Sequence, residues 1–317
     1  MFDLTSPVPF VLGTLPFGSR VDRATSYAVL DRFREAGGQH LDTANNYVQW
    51  EDGASGDESE DLLARWFADR PGARDGTVLA TKVGARSDPA RPGGCPADME
   101  GLSRPAVRRA VEGSLRRLGT DRVDLLYAHV TDPATPVRET VSALAEVVDE
   151  GLVGALGCSN HDLGTLRAAH RAADELGVPG YTAVQQRFTY LRPAEGTDFG
   201  VQRLAGADLL DHLGRRPGCT ALGYSPLLSG AYASRDRLPD AYRGPRSDAA
   251  LRVLDQVADE HGVGPVQVVL AWMVRRARPV VPVVGVSTVA QLDECLGAAA
   301  LRLDEDQLAR LDDAHQG

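Results

Sequence analysis

Eight short apolar runs, each followed by an amphipathic stretch, leave few folds open to this chain. The runs are FVLGTLPFG (10–18), GQHLDTA (38–44), TVLATKVG (77–84), VDLLYAHV (123–130), VGALGCSN (153–160), YTAVQQRF (181–188), CTALGYSP (219–226) and PVVPVVGV (279–286). Nearly unbroken apolar strands are those buried on both faces, as in a parallel sheet covered by helices. The intervening stretches, such as RATSYAVLDRFREAG, RPAVRRAVEGSLRRLG and PVRETVSALAEVVDEG, place apolar residues at i, i+3, i+4 and i+7 and end in Gly. That is the periodicity of a helix with its stop signal. Eight β-α units in 317 residues predict an α/β fold of the closed (β/α)8 TIM-barrel type, a single domain over residues 1–317. An open doubly wound sheet is the competing arrangement. Against it, no GxGxxG follows the first strand and no GxxxxGK[ST] occurs anywhere.

Three segments are longer than simple connections: 48–60, 86–102 and 229–248. They follow strands two, three and seven, so a barrel places them on its C-terminal face, where they are candidate pocket walls. The acidic run EDGASGDESED in the first reads as a solvated loop entering a helix N-terminus rather than a metal site.

Charge narrows the function. The 34 basic and 44 acidic residues give a net charge of −10, which argues against a nucleic-acid or anionic-membrane partner. No apolar run reaches the roughly 18 residues of a membrane span, and MFDLTSPVPF lacks a signal pattern, so the expected location is cytoplasmic. The four cysteines contain no C-x-x-C pair and predict neither a zinc site nor a disulfide framework; they are expected to be reduced and mostly buried.

The chain has no Ile, is rich in Ala, Arg, Gly and Val, and has one Lys among its 34 basic residues. Such a bias replaces Lys by Arg wherever either serves. The survivor, Lys82, therefore marks a position that needs a compact ammonium with an adjustable pKa. Lys82 closes the third strand, Asp42 closes the second with Tyr47 in the loop after it, and His129 closes the fourth. Each has an ordinary structural role open to it, as turn residue, packing aromatic or hydrogen-bonded strand end. Together, at the ends of three successive strands, they converge on one mouth of the barrel.

Their chemistry points to proton transfer. A free phenol, pKa about 10, is a poor acid near neutrality, and an adjacent ammonium lowers that value by about 1–3 units. A buried Lys needs a carboxylate in turn, and Asp42 is placed to supply it. His129 would then donate a hydrogen bond to a carbonyl and orient it toward Tyr47.

The motifs LGTLPFG, DTANNY, ATKVG, VDLLYAHVTDP, GLVGALGCSN, VQQRFTYLRP, ALGYSPLLSG and PVVGVSTVAQLDE, in that order, resemble those of the aldo-keto reductases. The resemblance implies a barrel oxidoreductase that binds NADPH across its mouth without a Rossmann fold and passes hydride to a small-molecule carbonyl substrate. It implies Tyr47 as general acid, Lys82 and Asp42 as its tuning pair, and His129 as the orienting residue. Gly13 and Thr14 join the implied cofactor set, with Ser159, Asn160 and Gln185 on the nicotinamide carboxamide and Tyr224 against its ring. Ser225, Leu227 and Gly230 fall along the pyrophosphate. Near the adenosine 2′-phosphate, where relatives that prefer NADPH carry a cation, this chain has Gly285, Ser287, Thr288 and Gln291, so NADH is the alternative donor. Glu294 matches an adenine contact, and Cys295 stands where Asn is usual. The residue after His129 is Val130, so the pocket wall there is expected to be apolar.

Trp50 and Arg187 are candidate substrate residues, suited to a bulky oxygenated molecule. All three Asn residues lie in these motifs, and Asn45 and Asn46 are expected to shape the turn that delivers Tyr47. Two rival functions remain: a Schiff-base lyase using Lys82, and a regulatory subunit that binds the cofactor with little turnover. Oligomeric state is not encoded in any feature of the sequence.

Overall fold

A computed structural model describes residues 7–88 and 98–314. Every apolar run yields a strand: β1 (Val11–Gly13), β2 (His40–Asp42), β3 (Val78–Val83), β4 (Leu125–Ala128), β5 (Leu156–Ser159), β6 (Tyr181–Arg187), β7 (Thr220–Tyr224) and β8 (Val281–Gly285). All pairings are parallel and sequential, and β1 pairs with β8 to close the barrel. The expected (β/α)8 architecture is therefore present. Several strands are shorter than their runs because the ladder ends where polar residues begin: β2 stops at Asp42 and β4 one residue before His129.

The outer ring contains α1 (Arg23–Glu35), α2 (Glu58–Asp69), α3 (Arg104–Leu118), α4 (Val137–Asp149), α5 (Leu163–Leu176), α6 (Ala207–Gly214), α7 (Pro245–His261), α8 (Pro265–Arg275), α9 (Val289–Gly297) and α10 (Glu305–Asp313). Asp22, Asp162, Thr288 and Asp304 cap α1, α5, α9 and α10 by accepting a first-turn N–H, each such cap contributing ~1 kcal/mol. Two helices, not one, separate β7 from β8, because Gly262 (φ 64) ends α7 and Pro265 opens α8. Among the described residues no helix is long and apolar enough to cross a membrane.

Strand alternation divides the interior into two cores. One side of each strand packs against the helices, in a large cluster that includes Leu12, Leu41, Leu79, Leu126, Val184 and Val284. The other side fills the lumen with Val11, Ala80, Leu125, Tyr127, Ala183, Leu222, Val281 and Val283. Gly157 belongs to the lumen set by parity, and it must be Gly: an added Cβ would stand 2.6 Å from the Tyr127 ring and 2.8 Å from the Ala183 carbonyl oxygen. This apolar plug forms the floor on which the next inward residues stand.

Those next residues open onto the C-terminal face, where the long loops gather as expected, over 43–57, 84–103 and 225–244. Residues 89–97 of the second, including Cys95, lie outside the described residues. A fourth long loop, 188–206 after β6, was hidden in the sequence because Phe188, Tyr190 and Leu191 continue the apolar run although they have left the ladder. Cys158 and Cys295 are buried and Cys219 is half-buried, all as free thiols.

Candidate active site

The alternation that puts Ala80 and Tyr127 in the lumen puts Asp42, Lys82, His129, Ser159, Gln185 and Tyr224 in the layer above them. Tyr47 enters from the turn after β2. That turn is sewn to the loop after β3: Asn46 Nδ2 donates to the Ala85 carbonyl at 3.1 Å, and Asn45 Nδ2 donates to Glu100 at 2.8 Å. Glu100 also accepts from the Gly84 N–H at 2.6 Å, and burial holds its carboxyl above the usual carboxylate range. Directly after Tyr47, Val48 has φ 60. A left-handed β-branched residue is strained, so the fold holds the phenol in place against a local backbone preference.

Four groups meet at one point. Lys82, 1% exposed, is ion-paired with Asp42 and donates to the Thr43 carbonyl at 2.8 Å and to the Tyr47 hydroxyl at 2.6 Å. These three acceptors use all three ammonium hydrogens. The Tyr47 hydroxyl donates to Asp42 Oδ1 at 3.0 Å, and Gln185 Nε2 donates to Asp42 Oδ2 at 2.8 Å from the far side of the barrel. The rings of Tyr47 and Tyr127 flank the ammonium at 4.8 and 5.8 Å, a favourable cation–π arrangement.

The electrostatics differ from the expectation in one respect. Burial, reinforced by the charge and hydrogen bond of Asp42, raises the Tyr47 pKa well above its ordinary value instead of lowering it. Burial disfavours the charged phenolate, and Asp42, which touches the phenol as well as the ammonium, repels it further. Burial also pulls the Lys82 ammonium down, with Asp42 opposing. Tyr47 therefore rests protonated, and the ammonium at 2.6 Å matters once the proton leaves, because it then faces a phenolate.

His129 stands edge-on to Tyr47, with ring centroids 6.2 Å apart and planes at 77°. Burial, and then the Lys82 charge, lowers its pKa to about 3, so the imidazole is neutral and donates through one nitrogen only. Its Nδ1 is buried with no partner among the described residues.

Across the mouth, Asn160 is the hub. Its Nδ2 donates to the His129 carbonyl at 3.0 Å and to Ser159 Oγ at 3.1 Å, while its Oδ1 accepts from the Tyr224 hydroxyl at 2.8 Å and from the Arg203 N–H at 3.2 Å. An amide offers two donors and two lone pairs; all are taken within the protein, a different relation from the direct carboxamide contact expected of Asn160. Beyond Tyr224 the backbone is strained, with φ of 57, 45 and 55 at Ser225, Leu228 and Ser229, before Gly230 at 88. Leu227 is half-buried in this turn. Arg187, at the end of β6, donates to Tyr242 and Gln202 at 3.0 Å each and to Ser225 at 3.4 Å, over the Phe199 ring. It is placed beside the Ser225 turn, at the β6–β7 edge of the mouth.

Several expected cofactor residues are turned elsewhere. Thr14 is fully buried, its hydroxyl bonded to the Asp42 carbonyl and to Ser59 Oγ, so it braces β2 and presents no hydroxyl to a ligand. Gly13 pairs with Asp42 and Gly285 in the top layer. Cys295 belongs to the apolar core at 1% exposure, and burial pushes its thiol up to about 12; one residue's rotation along α9 turns it inward. Glu294 lies against the turn at Gly264. Gly285, Ser287, Thr288 and Gln291 are exposed, but two of their polar groups bond each other: Gln291 Oε1 accepts from Ser287 N–H at 2.8 Å and Thr288 Oγ1 from Gln291 N–H at 3.2 Å. Trp50 is 59% exposed in the loop after β2. The acidic run is absorbed by structure: Glu58 accepts N–H bonds from Ser55 and Gly56, Asp57 pairs with Arg86 and Arg117, and Glu60 holds Thr81 and Arg117.

Sequence reasoning missed Tyr127 and Gln186. Tyr127 carried a signal, since it lies two residues before His129 and so on the same face; Gln186 carried none, because strand alternation turns it away from the mouth.

The family model described as Aldo/keto reductase family matches residues 9–316. The chain is 31% identical over 315 residues to an uncharacterized oxidoreductase, YrpG, of Bacillus subtilis, covering 96% of this chain and 91% of that protein. It is 29% identical to the norsolorinic acid reductase stcV of Emericella nidulans, over 96% of this chain and 77% of the relative. It is 32% identical to the aldo-keto reductase str7 of Strobilurus tenacellus, over 89% of this chain and 79% of the relative.

Proposed function

The chain belongs to the aldo/keto reductase family of oxidoreductases, and on that premise we propose that it reduces a carbonyl compound with NADPH, using Tyr47 as the acid. The observation that carries this reading is the Lys82 ammonium at 2.6 Å from the Tyr47 hydroxyl, with Asp42 bonded to both. The residues present suit a nicotinamide: the half-buried Tyr224 ring, the Ser159 hydroxyl and the Gln185 amide lie in the same layer as the acid, and a flat aromatic face fixes which side of a flat ring is presented. When bound, that cofactor supplies the hydride.

The rest is done by this chain. Neutral His129 orients the carbonyl oxygen toward Tyr47 by donating from its ring. To deliver its proton, the Tyr47 hydroxyl turns away from Asp42. The resulting phenolate is stabilised by the ammonium, and the apolar plug below keeps water out and the interaction strong. Gln185 holds the second oxygen of Asp42, so that the carboxylate stays aimed at Lys82.

A Schiff base at Lys82 finds no support: its three hydrogens are all engaged and it is 1% exposed, whereas imine formation needs a free, accessible amine. NADH is the second reading for the donor, favoured by the mutual bonding of Ser287, Thr288 and Gln291 and by the lack of any cation from Gly285 to Cys295. The substrate class we propose is a bulky oxygenated ketone. Support comes from Trp50 and the long loops at the mouth, and from a relative named for the reduction of norsolorinic acid. The proposed setting is cytoplasmic.

The test is a fluorescence titration with NADPH and NADH, followed by turnover of a carbonyl panel by wild type and Tyr47→Phe. The variant is expected to keep cofactor affinity within about three-fold and lose most of kcat, because only a proton donor is removed. Cofactor binding with no turnover of any carbonyl would instead mark a regulatory subunit, and a borohydride-trapped adduct at Lys82 would mark a lyase.

A further inference from the structure

Gln186 follows Gln185 on β6, so the alternation that aims Gln185 into the lumen aims Gln186 out of it, where it is completely buried. A buried amide is unfavourable unless its groups are paired, and this one is paired with two successive backbone groups. Its Oε1 accepts the Asn160 N–H at 2.7 Å and its Nε2 donates to the His161 carbonyl at 2.5 Å. Asn160 has φ 58, a left-handed conformation that Asn reaches more readily than other non-glycine residues and that the two Gln186 bonds, to the peptide groups on either side of its Cα, fix here. From that conformation its side chain reaches the His129 carbonyl, Ser159 Oγ, the Arg203 N–H and the Tyr224 hydroxyl.

We propose that Gln186 is a positioning residue: by clamping Asn160 in its left-handed conformation it fixes the Tyr224 ring and the backbone of His129 relative to each other, across 95 positions of sequence between residues 129 and 224. The inference rests on the reading that Tyr224 faces a nicotinamide. A residue that merely braced a turn would affect stability alone, whereas one that acts through Asn160 and Tyr224 must affect the same property that the Tyr224 hydroxyl affects.

The experiment is a double-variant cycle on the full chain with Gln186→Met, which loses both bonds, and Tyr224→Phe, which keeps the ring and loses the hydroxyl. NADPH affinity, kcat, KM and thermal unfolding are measured for each. Gln186→Met is expected to weaken NADPH binding about ten-fold in the wild-type background and less than about two-fold in Tyr224→Phe, since the lost connection is the same. Gln186→Glu, which full burial keeps as the neutral acid, can still accept from the Asn160 N–H and donate to the His161 carbonyl, and is expected to recover most of the affinity. Multiplying effects of the two substitutions, or a lowered melting temperature with unchanged affinity and kcat, overturn the proposal. Should Gln186→Met fail to fold, Gln186→Glu takes its place in the cycle, with a smaller but equally non-multiplicative effect expected. If wild type binds neither nucleotide, the carbonyl-reductase reading falls. The positioning role is then decided by near-ultraviolet circular dichroism: Gln186→Met must remove the tyrosine signal that Tyr224→Phe removes, and an unaltered signal refutes it.

Discussion

Replacing Lys82 by Met removes the ammonium but leaves Asp42, 1% exposed, bonded among the described residues to Gln185 and Tyr47 through its carboxylate. Breaking one side of a buried ion pair costs about 3–5 kcal/mol, most of it the penalty of an uncompensated charge. With an unfolding entropy near 2.1 cal/mol/K per residue, a chain of 317 residues loses about 4–8 °C of melting temperature for that cost. Asp42→Asn should cost about as much, since it strands the ammonium. The combination Asp42→Asn with Lys82→Met strands nothing, and is expected to cost only about 0–2 kcal/mol. The four proteins, unfolded in urea at pH 7 and followed by tryptophan fluorescence, should therefore show a coupling of about 4–10 kcal/mol, with catalysis lost in all three variants. A double variant whose loss equals the sum of the single losses within about 0.5 kcal/mol would show that the charges are solvated and do not depend on each other, which refutes the reasoning about the acid as well.

Two further outcomes are expected. His129 and His170 have pKa values lowered to about 3 and about 4 from 6.5, first by burial and then by Lys82 and Arg216 respectively. The unfolded chain then binds more protons than the folded one in this window, so their contribution is complete above pH 6.5 and is lost as pH falls toward about 4 for His170 and about 3 for His129; urea midpoints between pH 7.5 and 5 should fall accordingly, and His170→Gln should flatten the slope. Gly157→Ala puts a methyl 2.6 Å from the Tyr127 ring, and is expected to cost about 1–3 kcal/mol and to lower kcat by pressing that ring toward Lys82; an unfolding curve and rate matching wild type would contradict this.

The barrel was legible because its strands are buried on both faces and so leave unbroken apolar runs. The meeting of Lys82 with Asp42 and Tyr47 was legible because one Lys survives a composition that erases Lys. What lay hidden depends on direction more than on residue type. Thr14 and Cys295 lie within family motifs, but one hydroxyl points to Ser59 and one thiol to the core, and a motif does not record which way a side chain turns. Likewise the rise in the Tyr47 pKa needed the distance from the phenol to Asp42, which the presence of both residues does not give. The loop over 188–206 escaped because its aromatic residues pack inward after leaving the sheet, and continue the pattern of a strand by other means.

The bond from Gln185 to Asp42 joins residues 143 positions apart, and it spans the width of the barrel. A growing chain that has emerged just past its fourth strand already spells out Asp42, Tyr47, Lys82 and His129, yet it still lacks the Gln185 amide that holds the second oxygen of Asp42. Competence arrives when the final staves seat and the cask closes. A nascent chain thus carries all four side chains without the closed barrel that joins them, and the arrangement is set by completion of the molecule itself.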